Sequence, residues 1–123
     1  MAYMAKNNII MINRGDTYSF DLNIADDASP DGRYILKEDD VLYFGVMEPN
    51  QLFEDALIKK RFTKEDCDDA GNFIIKLNPA DTIDLYPGVY YYAIKLHHLV
   101  NNEEEYIDEV VTVIKKTKFI ICD

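Results

Sequence analysis

The sequence predicts an all-β domain, specifically an antiparallel, immunoglobulin-like β-sandwich of about seven to nine short strands. Its 48% of hydrophobic residues include nine Tyr and six Phe, types that favour strands. Short runs of alternating polar and apolar residues recur, separated by turn residues roughly every ten positions. The only helical element that the pattern predicts is one turn near residues 79–84.

A chain of 123 residues suits one domain with one hydrophobic core. We expect residues 1–8 to form an N-terminal arm and residues 9–123 to form the sandwich. The arm carries Lys6, and no acidic residue precedes Asp16. We expect such a segment to become ordered on assembly with a partner.

The first third of the chain predicts three strands. Thr17–Ile24 is the clearest, because its polar and apolar residues alternate strictly and so place one face in the core and one in water. A short apolar strand, Ile9–Ile12, precedes it across a turn at Asn13–Asp16. A loop at Ala25–Gly32 then leads to a third strand, Arg33–Leu36.

The middle of the chain predicts three more strands. Val41–Met47 is apolar on both faces, which indicates a central strand, and Pro49 ends it because proline cannot donate to a ladder. Ala56–Phe62 follows with basic residues mixed in. After a polar turn at Lys64–Asn72, Phe73–Leu77 resumes the alternation.

The last third predicts Val89–Leu96 as a strand, then a turn at Asn101–Glu105 and a strand at Tyr106–Ile114. Lys115–Lys118 is predicted as a short turn before a final strand, Phe119–Cys122. Tyr92, Ile94 and Leu96 share one strand face and are expected in the core.

The segment before Val89 predicts a structural corner. Asp81 and Thr82 are placed to cap a helical turn, and Pro87 with Gly88 forms a bend. Tyr90 then starts a strand, where its hydroxyl can bond back to upstream backbone. That is the arrangement of the tyrosine corner in sandwich folds.

Tyr91 lacks such an internal role, because it points to the opposite face from Tyr90 and Tyr92. An exposed aromatic on a sheet more often marks an interface than an active site. We therefore expect Tyr91, with Ile9 and Ile10 of the N-terminal segment, to contact a partner.

Three short motifs have simpler structural interpretations than functional ones. Arg14-Gly15-Asp16 matches an adhesion tripeptide but falls where a turn is due. The run from Asp66 to Gly71 lacks the oxygen ligands of a calcium loop at its fifth and twelfth positions, so we expect a hairpin turn. His97 and His98 point to opposite faces of a strand, so they cannot jointly bind one zinc ion.

The charge balance disfavours two classes of partner. The net charge is −10, with 23 acidic and 13 basic residues, which argues against nucleic acid and against an anionic membrane surface. The start of the chain has no signal-peptide pattern, and its apolar runs are too short for a membrane-spanning helix. Cys67 and Cys122 are predicted as free thiols.

No catalytic constellation can be named from the sequence. It contains no glycine-rich phosphate loop, no nucleophile elbow and no His-Glu-x-x-His pattern. We therefore expect a non-enzymatic protein with no catalytic residues, metal, cofactor or small-molecule substrate.

An ordered set of features spans most of the chain. It comprises Arg14–Thr17, Asp40–Val46, Leu57–Lys60, Gly71–Leu77, Asp81 and Thr82 with Leu85, Gly88, Tyr90 and Tyr92, then Thr112–Val113 and Phe119–Ile121. From about Ile9 to Ile121 this order resembles small β-sandwich structural domains of tailed bacteriophages, such as the N-terminal domain of baseplate upper proteins. Members of that group often continue into a fibre or a receptor-binding domain, whereas this sequence stops at Asp123, as a docking module or free-standing component would.

The resemblance implies a virion structural protein of the tail, baseplate, neck or capsid surface, held in several copies by other virion proteins. It would be in the host cytoplasm during assembly and then in the virion. A carbohydrate- or receptor-binding module is the alternative, because sandwich domains often present tyrosines to sugars. An enzyme, or an acidic inhibitor of a host enzyme, is the third candidate.

Overall fold

The computed structural model describes residues 3–4, 8–26, 32–67, 72–102 and 105–123. These residues form an all-β structure, as predicted, with a single short α-helix. The strands are β1 (Tyr3–Met4), β2 (Ile10–Asn13), β3 (Tyr18–Leu22), β4 (Ala25–Asp26), β5 (Val41–Met47), β6 (Ile58–Thr63), β7 (Phe73–Leu77), β8 (Gly88–Asn102) and β9 (Glu105–Cys122). The helix is α1 (Pro79–Thr82), and 3₁₀ turns cover Phe53–Asp55 and Lys64–Asp66.

The main sheet has five strands in the order β2-β9-β8-β5-β6. It is mixed, because β2 runs parallel to β9 while the other neighbours are antiparallel. Two smaller antiparallel pairs, β3–β7 and β1–β4, complete the described strands. The parallel pairing brings the start of the domain against its last strand.

The core lies between the main sheet and the β3–β7 pair. Phe20 of β3 reaches across to the main sheet, with its ring centroid 6.2 Å from that of Phe44 and 6.4 Å from that of Tyr92. The predicted core residues Tyr92, Ile94 and Leu96 are all buried. The predicted alternation is present in both strands: the inward residues of β7 are all buried, and those of β3 are half-buried or buried.

The predicted strand at Arg33–Leu36 is wrong. Only Arg33 makes a bridge, to Ala25, and the next residues lie outside any ladder. Tyr34 and Leu36 are nevertheless buried, so the apolar pattern is explained by the core. The backbone there is held by other bonds, including Tyr34 N–H to the Ile24 carbonyl at 2.9 Å.

The predicted turn at Lys115–Lys118 is also wrong, because β9 runs unbroken from Glu105 to Cys122. Its pairing with β8 changes register twice, between Tyr92 and Ile94 and again between Ile94 and Lys95. Each change inserts an extra residue in β9, as β-bulges do. The polar lysine run marks this bulged segment rather than a chain reversal.

β8 and β9 extend well past the rest of the sheet. β5 pairs with β8 only as far as Val41 opposite His97, while β8 and β9 pair with each other up to Asn102 opposite Glu105.

Near the N-terminus, Tyr3–Met4 of the predicted arm pairs with Ala25–Asp26. The division into an arm at 1–8 and a domain at 9–123 stays a prediction.

No helix among the described residues has the length and apolar character needed to cross a membrane.

Candidate interaction face

The face of the main sheet that points away from the core carries the candidate site, and we call it the outer face. Strand register arranges its side chains in rows across neighbouring strands. One row joins Arg61, Tyr43 and Lys95, and a row at the far end joins Val89, Ile120 and Met11. The outer face therefore has a basic end and an apolar end.

The 3₁₀ turn Phe53–Asp55 covers the middle of the outer face. Gly45 permits this, since a Cβ atom there would lie 3.1 Å from Cε1 of Phe53 and 3.2 Å from Cβ of Ala56. Met47 and Ala93 are buried beneath this cover, with Ala56, in a small cluster separate from the main core. The sequence pattern of Val41–Met47, apolar on both faces, is explained by these two clusters.

The apolar end carries an exposed hydrophobic group that we call the apolar strip. Met11 is 62% exposed and Val89 is 48% exposed, with half-buried Ile120 between them in the same row. Ile9 is 61% exposed, and Tyr91 is half-buried in the row beside Val89. Exposed apolar side chains that are contiguous, rather than scattered, are typical of interaction surfaces.

The structure separates the three residues predicted to contact a partner. Tyr91 and Ile9 both belong to the apolar strip, whereas Ile10 is only 3% exposed and packs in the core. The prediction for Ile10 is therefore wrong, because successive strand residues point to opposite faces. Sequence reasoning missed Met11 and Ile120, although the alternation around Ile10 could have identified Met11.

The basic end combines cations with an apolar hollow. Lys59, Arg61 and Lys95 belong to adjacent rows on strands β6 and β8, around Tyr43 of β5. A cavity of about 440 Å³ opens there, and its walls include Phe53, Tyr43 and Val110. The Lys95 ammonium lies 4.8 Å from the centroid of the Phe53 ring, a cation–π contact.

A second hollow lies beside the start of β8. It has a volume of about 400 Å³, and its lining includes Glu48, Asn50, Gln51 and Tyr90. Carboxylate and amide groups are able to hydrogen-bond a polar ligand.

The predicted corner at Tyr90 is present. Its hydroxyl donates a 2.6 Å hydrogen bond to the carbonyl of Tyr86, four residues upstream. Burial, with a smaller contribution from the charge of Glu48, raises the pKa of the Tyr90 phenol above its ordinary value. The corner thereby fixes the entry of β8, which Gly88 begins directly after Pro87.

Asp81 and Thr82 have different roles from one another. The Asp81 carboxylate accepts the Asn78 backbone N–H at 2.7 Å, so it caps the helical turn, and it also pairs with the Lys60 ammonium at 2.8 Å. Thr82 is fully buried, and its hydroxyl accepts the Gly15 backbone N–H at 2.9 Å. The expectation that Thr82 caps its own turn is therefore wrong, because it binds the turn that precedes β3.

The Arg14-Gly15-Asp16 triplet forms the expected turn. Gly15 has φ of +81°, a left-handed conformation that favours glycine, and Asp16 N–H bonds to the Asn13 carbonyl at 3.1 Å. The Arg14 guanidinium forms a 3.1 Å ion pair with the Asp123 carboxylate. The triplet is thus a structural connection between β2 and β3.

The acidic run near Cys67 is only partly described. Asp66 accepts the Thr63 backbone N–H at 2.8 Å, while residues 68–71 lie outside the described part of the chain. Neither Cys67 nor Cys122 forms a disulfide bond. In the described ranges, no group of three or more His, Cys, Asp or Glu side chains is placed to hold a metal ion.

Comparison with known proteins adds no family. No protein-family model matches the chain, and no curated protein matches it either.

Proposed function

We propose that this chain is a non-enzymatic structural protein of a bacteriophage virion, which acts through contacts with other virion proteins in a multi-copy assembly. The apolar strip is the observation that carries the proposal. Burial of these five exposed or half-buried apolar side chains, beside Lys118 in the row of Tyr91, would contribute favourably to association. The resemblance of the sequence to small phage sandwich domains supplies the class of assembly: tail, baseplate, neck or capsid surface.

The finer fold assignment belongs to the same proposal. We infer an immunoglobulin-like sandwich in which the two-stranded β3–β7 pair is the second sheet. The tyrosine corner at Tyr90 supports this, since it is a feature of that architecture. Under this proposal the protein resides in the host cytoplasm during assembly and then in the virion.

The proposal is tested in purified virions from a phage that encodes this chain. The protein should be detected there by mass spectrometry, and Met11→Asp should lower its incorporation at least about tenfold by placing a charge in the apolar strip. Ile74→Asp is the matched control, because Ile74 is 64% exposed and lies on the outward side of β7, away from the strip.

Circular dichroism confirms that both variants fold before incorporation is compared. Absence of the wild-type protein from virions would refute the proposal. Equal incorporation of Met11→Asp and Ile74→Asp would remove the apolar strip as its basis.

A carbohydrate- or receptor-binding module is the second candidate, and the hollow lined by Glu48, Asn50 and Tyr90 favours it. The carboxylate and amide groups of its lining can hydrogen-bond the hydroxyl groups of a sugar. Glycan-array binding that is lost in Asn50→Ala would support this candidate, and loss in Tyr91→Ala would instead place the sugar on the apolar strip. An array without any signal would count against both versions.

A further inference from the structure

The cavity of the basic end has the features of a small-molecule site. We propose that it binds an aromatic carboxylate, a ligand with one flat apolar body and one anionic group. Its volume of about 440 Å³ falls within the range of about 300 to 1,000 Å³ that is typical of small-molecule sites. Such a ligand would be additional to the contacts with virion proteins, and its binding does not depend on them.

Aromatic side chains supply the apolar part of the site. Phe53 and Tyr43 both line the cavity and are half-buried, so part of each side chain remains accessible. Gly45 belongs to the lining as well, and the Phe53 ring packs so closely on it that a Cβ atom there would lie 3.1 Å from Cε1. The Phe53 ring is thus seated on the backbone of β5. A flat aromatic ligand can form stacked or edge-to-face contacts with such rings.

The ammonium groups of Lys59 and Lys95 are held beside this aromatic wall. The Lys95 ammonium lies 4.8 Å from the centroid of the Phe53 ring, and the Lys59 ammonium donates a hydrogen bond to the Glu54 carbonyl. An ammonium group has more N–H donors than one such contact uses, so each lysine keeps donors for a further acceptor. Both groups are therefore positioned to bind a carboxylate through charge-assisted hydrogen bonds.

The charge around the cavity favours an anion. The chain has a net charge of −10, yet Lys59, Arg61 and Lys95 form no ion pair with any carboxylate in the part of the chain that the structure describes. Glu54 is the one acidic residue among the described lining residues, and it is outnumbered by Lys59 and Lys95. The local charge is therefore opposite in sign to that of the whole chain and complements an anionic ligand.

Strand register brings the cations and the aromatic wall together. Lys95 of β8 is paired with Tyr43 of β5, and Lys59 of β6 is paired with Gly45 of β5. The lysines thus approach β5 from its two neighbouring strands, with Phe53 seated on Gly45. In this arrangement the carboxylate would accept hydrogen bonds from the ammonium groups while the aromatic body packs on Phe53 and Tyr43.

Protection of the sheet edge does not explain the whole cluster. Lysine and arginine on an edge strand discourage pairing with other chains, and this accounts for Lys59 and Arg61 on β6. Lys95 instead lies on β8, between β5 and β9 in the interior of the sheet, and it is half-buried. Its contact with the Phe53 ring leaves its charge without a counter-ion among the described residues. An anionic ligand would supply that counter-ion.

NMR titration of the isotope-labelled full chain with 2-naphthoate tests the inference. The backbone amide signals of Gly45, Phe53 and Lys59 should shift as the ligand binds. The neutral amide with the same rings, 2-naphthamide, should bind at least about tenfold more weakly, because it lacks the charge that the lysines recognise. Acetate, which has the charge without the rings, should also bind at least about tenfold more weakly.

The double variant Lys59→Met, Lys95→Met should raise the dissociation constant for 2-naphthoate at least about tenfold, since methionine keeps an apolar stem but no charge. Lys59→Met alone, at an exposed position, should raise it about threefold and provides the test if the double variant does not fold. Lys118→Met is the matched control, because it makes the same change at an exposed position in the row of Tyr91 on the same face. Its affinity should equal that of the wild type.

Four results would each overturn the inference: no binding of 2-naphthoate, equal affinity for 2-naphthamide, unchanged affinity in the lysine variants, or signal shifts centred on the apolar strip. Binding of 2-naphthoate by a protein that is absent from virions would uphold the site and refute the proposed function. A protein that is present in virions and does not bind 2-naphthoate would give the opposite result.

Discussion

At the scale of single residues, neighbours of the same chemical type have opposite environments. Ile9 is 61% exposed, while Ile10 is 3% exposed and packs in the core. Tyr90, Tyr91 and Tyr92 show the same division, with Tyr91 on the outer face between two tyrosines that point inward. The geometry of a strand alone produces these differences.

Ile10→Ala should therefore lower the free energy of unfolding by about 2 to 5 kcal/mol, because it leaves a cavity in the core. Ile9→Ala removes the same atoms from an exposed position and should change it by less than about 0.5 kcal/mol. Urea denaturation monitored by circular dichroism measures both. Equal losses would mean that Ile10 does not anchor β2 in the core.

The corner hydrogen bond provides a second prediction at this scale. Tyr90→Phe removes the donor to the Tyr86 carbonyl and should cost about 1 kcal/mol of stability. Tyr86→Phe is the control, since it deletes the hydroxyl of a residue that is 84% exposed while leaving the accepting carbonyl in place. A neutral Tyr90→Phe would show that the corner is dispensable for stability.

At the scale of elements, the bounds of β5 and β7 agree exactly with the predicted ranges, because alternation or continuous apolar character marks their ends clearly. The sequence predicts two strands in place of β9, since the polar run Lys115–Lys118 is typical of a turn. The structure instead accommodates these residues with bulges, where the register shifts. Sequence alone does not reveal a bulge, because it depends on the partner strand.

One side chain of the helical turn α1, that of Asp81, both caps the turn and pairs with Lys60 of β6. Asp81→Ala removes both the cap on Asn78 and the ion pair with Lys60, and should cost about 1 to 2 kcal/mol. Asp81→Asn retains an oxygen acceptor for the cap and should cost less. Chemical denaturation of these variants and of Lys60→Ala separates the two contributions. Identical losses for Asp81→Ala and Asp81→Asn would assign the whole effect to charge.

At the scale of the whole molecule, buried phenols predict sensitivity to alkaline pH. Burial is the main cause that raises the pKa of Tyr92 above its ordinary value, helped by the nearby Tyr18 and opposed by hydrogen bonding with the Asn8 backbone. Burial raises the pKa of Tyr90 as well. Below the unfolded pKa both states keep the proton. Above it the unfolded chain releases the proton first, so stability falls until the folded pKa is passed.

The free energy of unfolding should therefore decrease from about pH 9 to pH 11, and Tyr92→Phe should reduce that slope. Denaturant titrations across this pH range provide the measurement. A slope unaffected by Tyr92→Phe would place the alkaline sensitivity elsewhere in the molecule.

The core and the corner could be predicted from sequence because they follow from local periodicity. The outer face could not, since its rows exist only once β5, β6, β8 and β9 are in register. Met11 meets Ile120 through a parallel pairing that no local pattern indicates. For the same reason the sequence indicates Tyr91 but not Met11, Val89 and Ile120, which share the outer face with it.

The parallel pairing of β2 with β9 also constrains the order of folding. Arg14 and Asp123, which form an ion pair beside these strands, are 109 positions apart in sequence. The main sheet cannot acquire its β2 edge until Phe119–Cys122 has been synthesised, so the ribosome must complete β9 before Ile10 finds its partner. Contacts of such long separation slow folding, and until then Ile10, Met11 and Ile12 of β2 remain exposed to chaperones or to neighbouring chains.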